Sequence, residues 1–156
     1  MDNHSRENSG DYLSGNRQFA NGEAPVAYRI LVVDDDAAIQ RLYTAILETE
    51  GYDSIVADDG EQGLRMVYQE HPDLIISDLD MPRMNGFEFC KLVRIMDDIP
   101  ILMISGSGEQ VERMIVVRLL GDTIDVFLPK PIGLQELLTE VAIALDRGKN
   151  EGVPAQ

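Results

Sequence analysis

A single cysteine, Cys90, stands among the 156 residues, so no internal disulfide can form. No apolar run approaches the roughly 20 residues that a bilayer-spanning helix needs. The N-terminal stretch MDNHSRENSGDYLSGN also lacks the apolar core of a secretory signal. Positive charge is scarce: 13 Lys and Arg face 28 Asp and Glu, a formal net charge of -15. Nucleic acid and anionic membrane are therefore disfavoured as partners, because binding either one calls for basic residues gathered into a patch. A reducing cytoplasm is the simplest compartment for such a chain.

What is present suffices for one core, since 44% of the residues are apolar. Residues 1–27 are rich in Asn, Ser, Gly and charge and are expected to be disordered; residues 148–156 read as a flexible C-terminal tail. Between them, residues 28–147 alternate short β-rich runs with amphipathic segments, which indicates a parallel sheet wrapped by helices. The strand candidates are RILVV (29–33), SIVA (54–57), LIIS (74–77), ILMIS (101–105) and VFL (126–128). Ile39, Leu42, Tyr43 and Ile46 share a helical face stopped by Gly51. Leu64, Val67 and Tyr68 make a shorter stripe ending before Pro72, and Leu134, Leu137, Leu138, Val141 and Leu145 a longer one.

In an α/β fold of this kind, right-handed crossovers bring every strand's carboxyl end to one edge, and ligands bind in the crevice outside it. The polar residues converge there. The first strand runs into Asp34, Asp35 and Asp36, the third into Asp78, the fourth ends in Ser105 and the fifth runs into Lys130. Carboxylates about 5 Å apart repel by roughly 3 kcal/mol per pair at an effective dielectric of about 20, so a cation is implied. All-oxygen ligands with few carboxylates favour Mg²⁺. A phosphoryl group would suit the remaining positions, with Lys130 pairing with one oxygen and the Ser105 hydroxyl donating to another.

The stretches LVVDDD (31–36), LIISDLDMPRMNG (74–86), ILMISG (101–106) and FLPKPI (127–132) resemble the receiver domain of two-component response regulators, over about residues 28–147. The resemblance implies a doubly wound five-stranded parallel sheet, of flavodoxin-like order 2-1-3-4-5, flanked by five helices. It implies that Asp78 accepts a phosphoryl group from a histidine kinase or histidine phosphotransfer protein, and that any chemistry is Mg²⁺-dependent self-phosphorylation and autodephosphorylation rather than enzymatic turnover. Asp35 and Asp78 would ligate Mg²⁺ directly, Asp34 through water, and Asp80 through its backbone carbonyl. Ser105 and Phe127 would be the switch pair, Lys130 the active-site lysine, and Pro131 would follow a cis bond. Output would pass through the fourth helix, fifth strand and fifth helix to a protein target or a homodimer.

Two features depart from the family pattern. GDTIDVFLPKP (121–131) is about two residues longer than the common form, and Asn85 stands where an acid is usual. With no second domain after residue 147, output is expected by protein contact. Helix 111–120 would turn Val111, Met114, Ile115 and Leu119 inward and Val116 and Leu120 outward. Asp36 is expected to cap the first helix, Cys90 to be a core thiol, and Met81 and Met84 to line the mouth of the site; neither His4 nor His71 has the surroundings of a phosphodonor. Asp80 and Ser107 would bear on phosphoryl lifetime without an assignable sign. Two rival readings stand beside the receiver: a phosphorylation-independent receiver-like scaffold, and a haloacid-dehalogenase-type phosphatase suggested by Asp78-Leu79-Asp80.

Overall fold

The computed structural model describes residues 16–17, 26–106, 115, 118 and 121–151. Its elements are β1 (Asn16–Arg17), β2 (Val26–Ala27), β3 (Arg29–Val33), α1 (Ala37–Thr49), β4 (Asp53–Ala57), α2 (Gly60–Glu70), β5 (Leu74–Ser77), α3 (Gly86–Met96), β6 (Ile101–Ser105), a 3-10 turn (Gly121–Thr123), β7 (Val126–Pro129) and α4 (Leu134–Glu151). β1 and β2 form an antiparallel pair inside the segment expected to lack structure. The other five strands form one parallel sheet in the order β4-β3-β5-β6-β7, which in chain order is 2-1-3-4-5.

The central strands are continuous apolar runs because both of their faces are covered. Ile30, Val32, Leu74, Ile76, Leu102 and Ile104 pack on one side with Tyr43 and Leu47 of α1 and Leu137 and Val141 of α4. Leu31, Val33, Ile75, Ile101 and Met103 pack on the other with Val67 of α2 and Phe89, Cys90 and Val93 of α3. Each such side chain contributes roughly 1.5–3 kcal/mol on burial. The strand positions agree with the expected runs to within one residue.

The helix faces need correction. Leu42, Tyr68 and Leu134 are exposed rather than core. In α2 the inward arc is Gly60, Gly63 and Val67, and Tyr68 falls about 100° past it. In α1 the buried positions include Gln40 and Leu47, which rotates the inward face away from Leu42. The final helix does not stop at Arg147 but runs to Glu151. A glycine at 148 serves it there, since a Cβ would lie 3.3 Å from Pro100 Cγ. Four helices are present among the described residues against five expected; the remaining one, 111–120, with Val116 and Leu120, lies largely outside them. Ile115 is described and is 52% exposed, so it does not face the core. A stripe of apolar residues gives the phase of a helix but not which side of it turns inward.

Candidate functional site

The two central strands deliver the acidic residues side by side. Val33 pairs with Ser77 in register. Beyond that pair the Asp78 N–H donates to Val33 O at 2.9 Å, and the Asp34 N–H donates to Ala57 O at 3.1 Å. β6 and β7 bring the other two groups together: Ser105 pairs with Pro129, and the Lys130 N–H donates to Ser105 O at 2.9 Å. The Lys130–Pro131 bond is cis. Asp36 caps α1, its carboxylate accepting from the Ala38 and Ile39 N–H groups, and so turns the chain directly after the acidic pair.

Asp34, Ser105 and Asp78 are buried, at 3%, 2% and 8% exposure, whereas Asp35 is exposed. Asp34 has both oxygens engaged: Oδ1 accepts the Asp36 N–H at 2.9 Å, and Oδ2 lies 3.1 Å from Lys130 Nζ. Asp78 Oδ1 accepts the Leu79 N–H at 2.9 Å and stands 3.6 Å from Lys130 Nζ. The ammonium thus sits between the two buried carboxylates and closer to Asp34. Burial pushes the Asp78 carboxyl above its ordinary value; Lys130 opposes the shift, and Asp34 and Asp80 add to it. Burial by itself would lower Lys130, but Asp78 and Asp34 outweigh it, so the ammonium is held more firmly than usual.

Carboxylate oxygens of Asp34, Asp35 and Asp78 all lie within 4.8 Å of one another. At that distance two carboxylates repel by about 3.5 kcal/mol at an effective dielectric of about 20, and Lys130 supplies only one compensating charge. Hard oxygen donors without sulfur or imidazole fit Mg²⁺ and not a soft metal. Asp80 lies two residues past Asp78 in the same loop with its side chain exposed. Phe127 pairs with Met103 and packs half-buried against the α2–α3 side of the core.

Close backbone packing holds the loop after Asp78. Gly86 opens α3, and its N–H donates to Leu79 O at 2.8 Å. A Cβ there would come within 2.1 Å of the Asp78 carbonyl oxygen, so only glycine fits. Asn85 caps α3 through the Glu88 N–H at 2.9 Å, which explains the tolerance for Asn in place of an acid. Met84 packs over Gly60, and Met81 is buried in the core cluster of the α2–α3 side. Cys90 is buried, its thiol pushed up to about 12 by desolvation, and His71 ends α2 in the left-handed conformation. His4 and Ser107 lie outside the described residues. Gln40, Asp58, Asp59 and Arg83 were not singled out from sequence, although Asp59 three residues before Gln62 is a readable helix-capping signal.

A family model described as the response regulator receiver domain matches residues 30–142. The chain belongs to the response-regulator receiver family. This receiver is 38% identical over 123 residues to the DNA-binding response regulator MtrA of Mycolicibacterium paratuberculosis, covering 79% of the chain and 53% of that protein. It is 39% identical over 122 residues to the response regulator MprA of Mycobacterium leprae, covering 78% and 52% respectively. The chain spans about half the length of these curated relatives. Among solved structures, a CheY-like receiver domain from Methanospirillum hungatei is similar with a TM-score of 0.74 and 30% identity, covering 80% of this chain and 98% of that one. As a receiver, the chain is a two-component signalling domain and not a classical enzyme, and receivers of this family work with histidine kinases. No helix among the described residues is long and apolar enough to cross a membrane.

Proposed function

We propose that Asp78 is the phosphoacceptor, taking its phosphoryl group from a phosphohistidine on a kinase or phosphotransfer protein. The observation that carries this reading is the placing of a buried carboxylate at a strand end, 3.6 Å from an ammonium and within 4.8 Å of two further acids. Oδ1 of Asp78 is occupied by the Leu79 N–H. The other oxygen, Oδ2, is the one that attacks. The new bond joins it to phosphorus, the P–N bond of the donor breaks, and the imidazole departs with the electron pair and takes a proton from solvent.

Asp35 and Asp78, with Asp34 through water and the Asp80 carbonyl, would hold Mg²⁺, which when bound offsets the excess negative charge and stabilises the phosphoryl oxygens. The double engagement of Asp34 supports its indirect role. Lys130 and Ser105 supply a cation and a hydroxyl to the modified side chain. Ser105 and Phe127 on the adjoining strands β6 and β7 then carry the change outward by biasing two pre-existing conformations. The receiving surface is the region of residues 111–120 with β7 and α4, where a protein target or a second copy would bind.

The test is to incubate the chain with Mg²⁺ and acetyl phosphate and to weigh it intact. A stoichiometric phosphate adduct that disappears in Asp78→Asn supports the phosphoacceptor reading. Sustained hydrolysis of a phosphate ester would favour a phosphatase instead, and absence of any adduct would leave a phosphorylation-independent scaffold.

A further inference from the structure

Strand β4 holds Asp34 through the Ala57 carbonyl but supplies no side chain to the site described above, yet it is followed directly by two consecutive acids, Asp58 and Asp59. Each reaches a different loop of the acidic pocket. The Gln40 carboxamide, buried on α1, donates through Nε2 to Asp34 O at 2.6 Å and to Asp58 Oδ1 at 2.8 Å. This ties the loop carrying Asp34 and Asp35 to the end of β4. On the other side Arg83, five residues past Asp78, donates through Nε and Nη2 to Asp59 Oδ2 at 2.8 and 2.5 Å. Asp59 is 6% exposed, and its Oδ1 is taken by the Gln62 N–H at 2.8 Å. Helix capping therefore accounts for one oxygen of Asp59 and not for the fork on the other.

The backbone of Arg83 points to the same contact. Its φ is 66°, a left-handed conformation that side chains with a Cβ disfavour. Glycine would adopt it freely, but glycine could not reach Asp59. Beside it, a Cβ on Gly60 would lie 2.9 Å from Met84 Cγ and Sδ, so the loop after Asp78 rests directly on the start of α2.

We propose that Asp58 and Asp59 form a brace that sets the spacing between the two acid-bearing loops, with Gln40 and Arg83 as its arms. All four are positioning residues for the divalent cation that the pocket holds; the proposal rests on the metal site inferred under Proposed function. The brace is distinguishable from a plain electrostatic effect by its sign. Removing the charge of Asp59 should weaken cation binding on Coulomb grounds, and removing that of Arg83 should strengthen it. The brace requires both changes to weaken it.

Calorimetric titration of the full chain with Mg²⁺, alongside thermal unfolding without metal, tests this. Asp59→Asn retains a helix-capping side chain, so the protein remains folded while the ion pair is lost. Expected are about 3- to 10-fold weaker binding in Asp59→Asn and in Arg83→Gln, no further loss in the double variant because one contact is being removed, and an intermediate value in Arg83→Lys, which keeps charge without the fork. Tighter binding in Arg83→Gln, or unchanged affinity in both single variants whatever their melting temperatures, overturns the brace. If the wild-type chain is labelled at Asp78 while those variants bind Mg²⁺ as it does, only the brace fails. A wild-type chain that binds no Mg²⁺ overturns the metal site and the brace together.

Discussion

At the amino edge of the sheet Arg29 meets Asp53 and Glu70, each at 2.8 Å, and its N–H donates to Asp73. Nearby, Arg94 meets Asp125 at 2.9 Å. At the carboxyl edge Asp34, Asp35 and Asp78 gather around Lys130. Both edges are acidic, but they are balanced differently. The acids of the amino edge are shared between two arginines, and the pairs of Arg29 lie largely in solvent, where they contribute little. Three acids of the carboxyl edge share one ammonium; by count each edge keeps an excess of negative charge, but here two of the acids, Asp34 and Asp78, are buried. A protein keeps an uncompensated buried cluster only where something binds or reacts there, so the imbalance marks the functional edge.

The comparison is sharpened by a change that adds no charge. Gly86→Ala would drive a methyl group into the Asp78 carbonyl, and overpacking against backbone costs about 3 kcal/mol. Because the displaced atoms belong to Asp78 and Leu79, chemical denaturation should show the loss of stability and acetyl phosphate labelling should fall with it. Equal labelling at a temperature where both proteins remain folded would mean that Gly86 supports the fold alone.

Cation binding separates the two edges without altering the core. At a free concentration of 100 times its dissociation constant, Mg²⁺ should stabilise the chain by about 2.7 kcal/mol, and chelation should remove that increment. Asp35→Asn should lose it and Arg29→Gln should retain it. An increment that survives in Asp35→Asn would place the cation elsewhere and break the distinction between the edges.

Much of this arrangement was legible in the sequence. RILVV, LIIS and ILMIS coincide with β3, β5 and β6 because a strand buried on both faces must be apolar throughout. Asp34, Asp78 and Lys130 were legible for the complementary reason, as polar residues that end such runs. Helix faces were less so: apolar Tyr68 points outward, while Gly60 and Gly63, which carry no hydrophobic signal, make the contact of α2 with Met84 and Phe89. Gln40 and Arg83 could not be read at all. A glutamine on a helix and an arginine in a turn look like solvated residues until tertiary contact gives each a carboxylate partner.

Within the amino edge, Arg94 should matter more than Arg29. Its side chain is 19% exposed, and it donates to Ile99 O and to Asp125, which also accepts the Ile101 N–H at 2.7 Å. Arg94→Ala leaves a half-buried carbonyl and carboxylate short of a donor, at a cost of about 1.5–2 kcal/mol. Labelling of Asp78 should remain within about twofold of wild type, since this edge takes no part in the chemistry. A labelling defect out of proportion to the stability loss would show that the edges are coupled.

The smallest effect belongs to Arg29→Gln. Its ion pairs look the strongest on the surface, two carboxylates at 2.8 Å, and the Asp53 hydrogen bond holds the guanidinium pKa above its ordinary value. The side chain is nevertheless 40% exposed, and so are its partners, at 46% and 40%. Water and salt screen such a pair, and ordering long side chains offsets most of what remains. Glutamine keeps part of the aliphatic stem, and the backbone bond from residue 29 to Asp73 does not involve the side chain. Denaturation should therefore register a loss of about 0.5 kcal/mol, shrinking further as salt is raised. A loss that exceeds the one caused by Arg94→Ala, or that persists undiminished in high salt, would mean that the amino edge is held by charge after all and that its contrast with the carboxyl edge is one of degree.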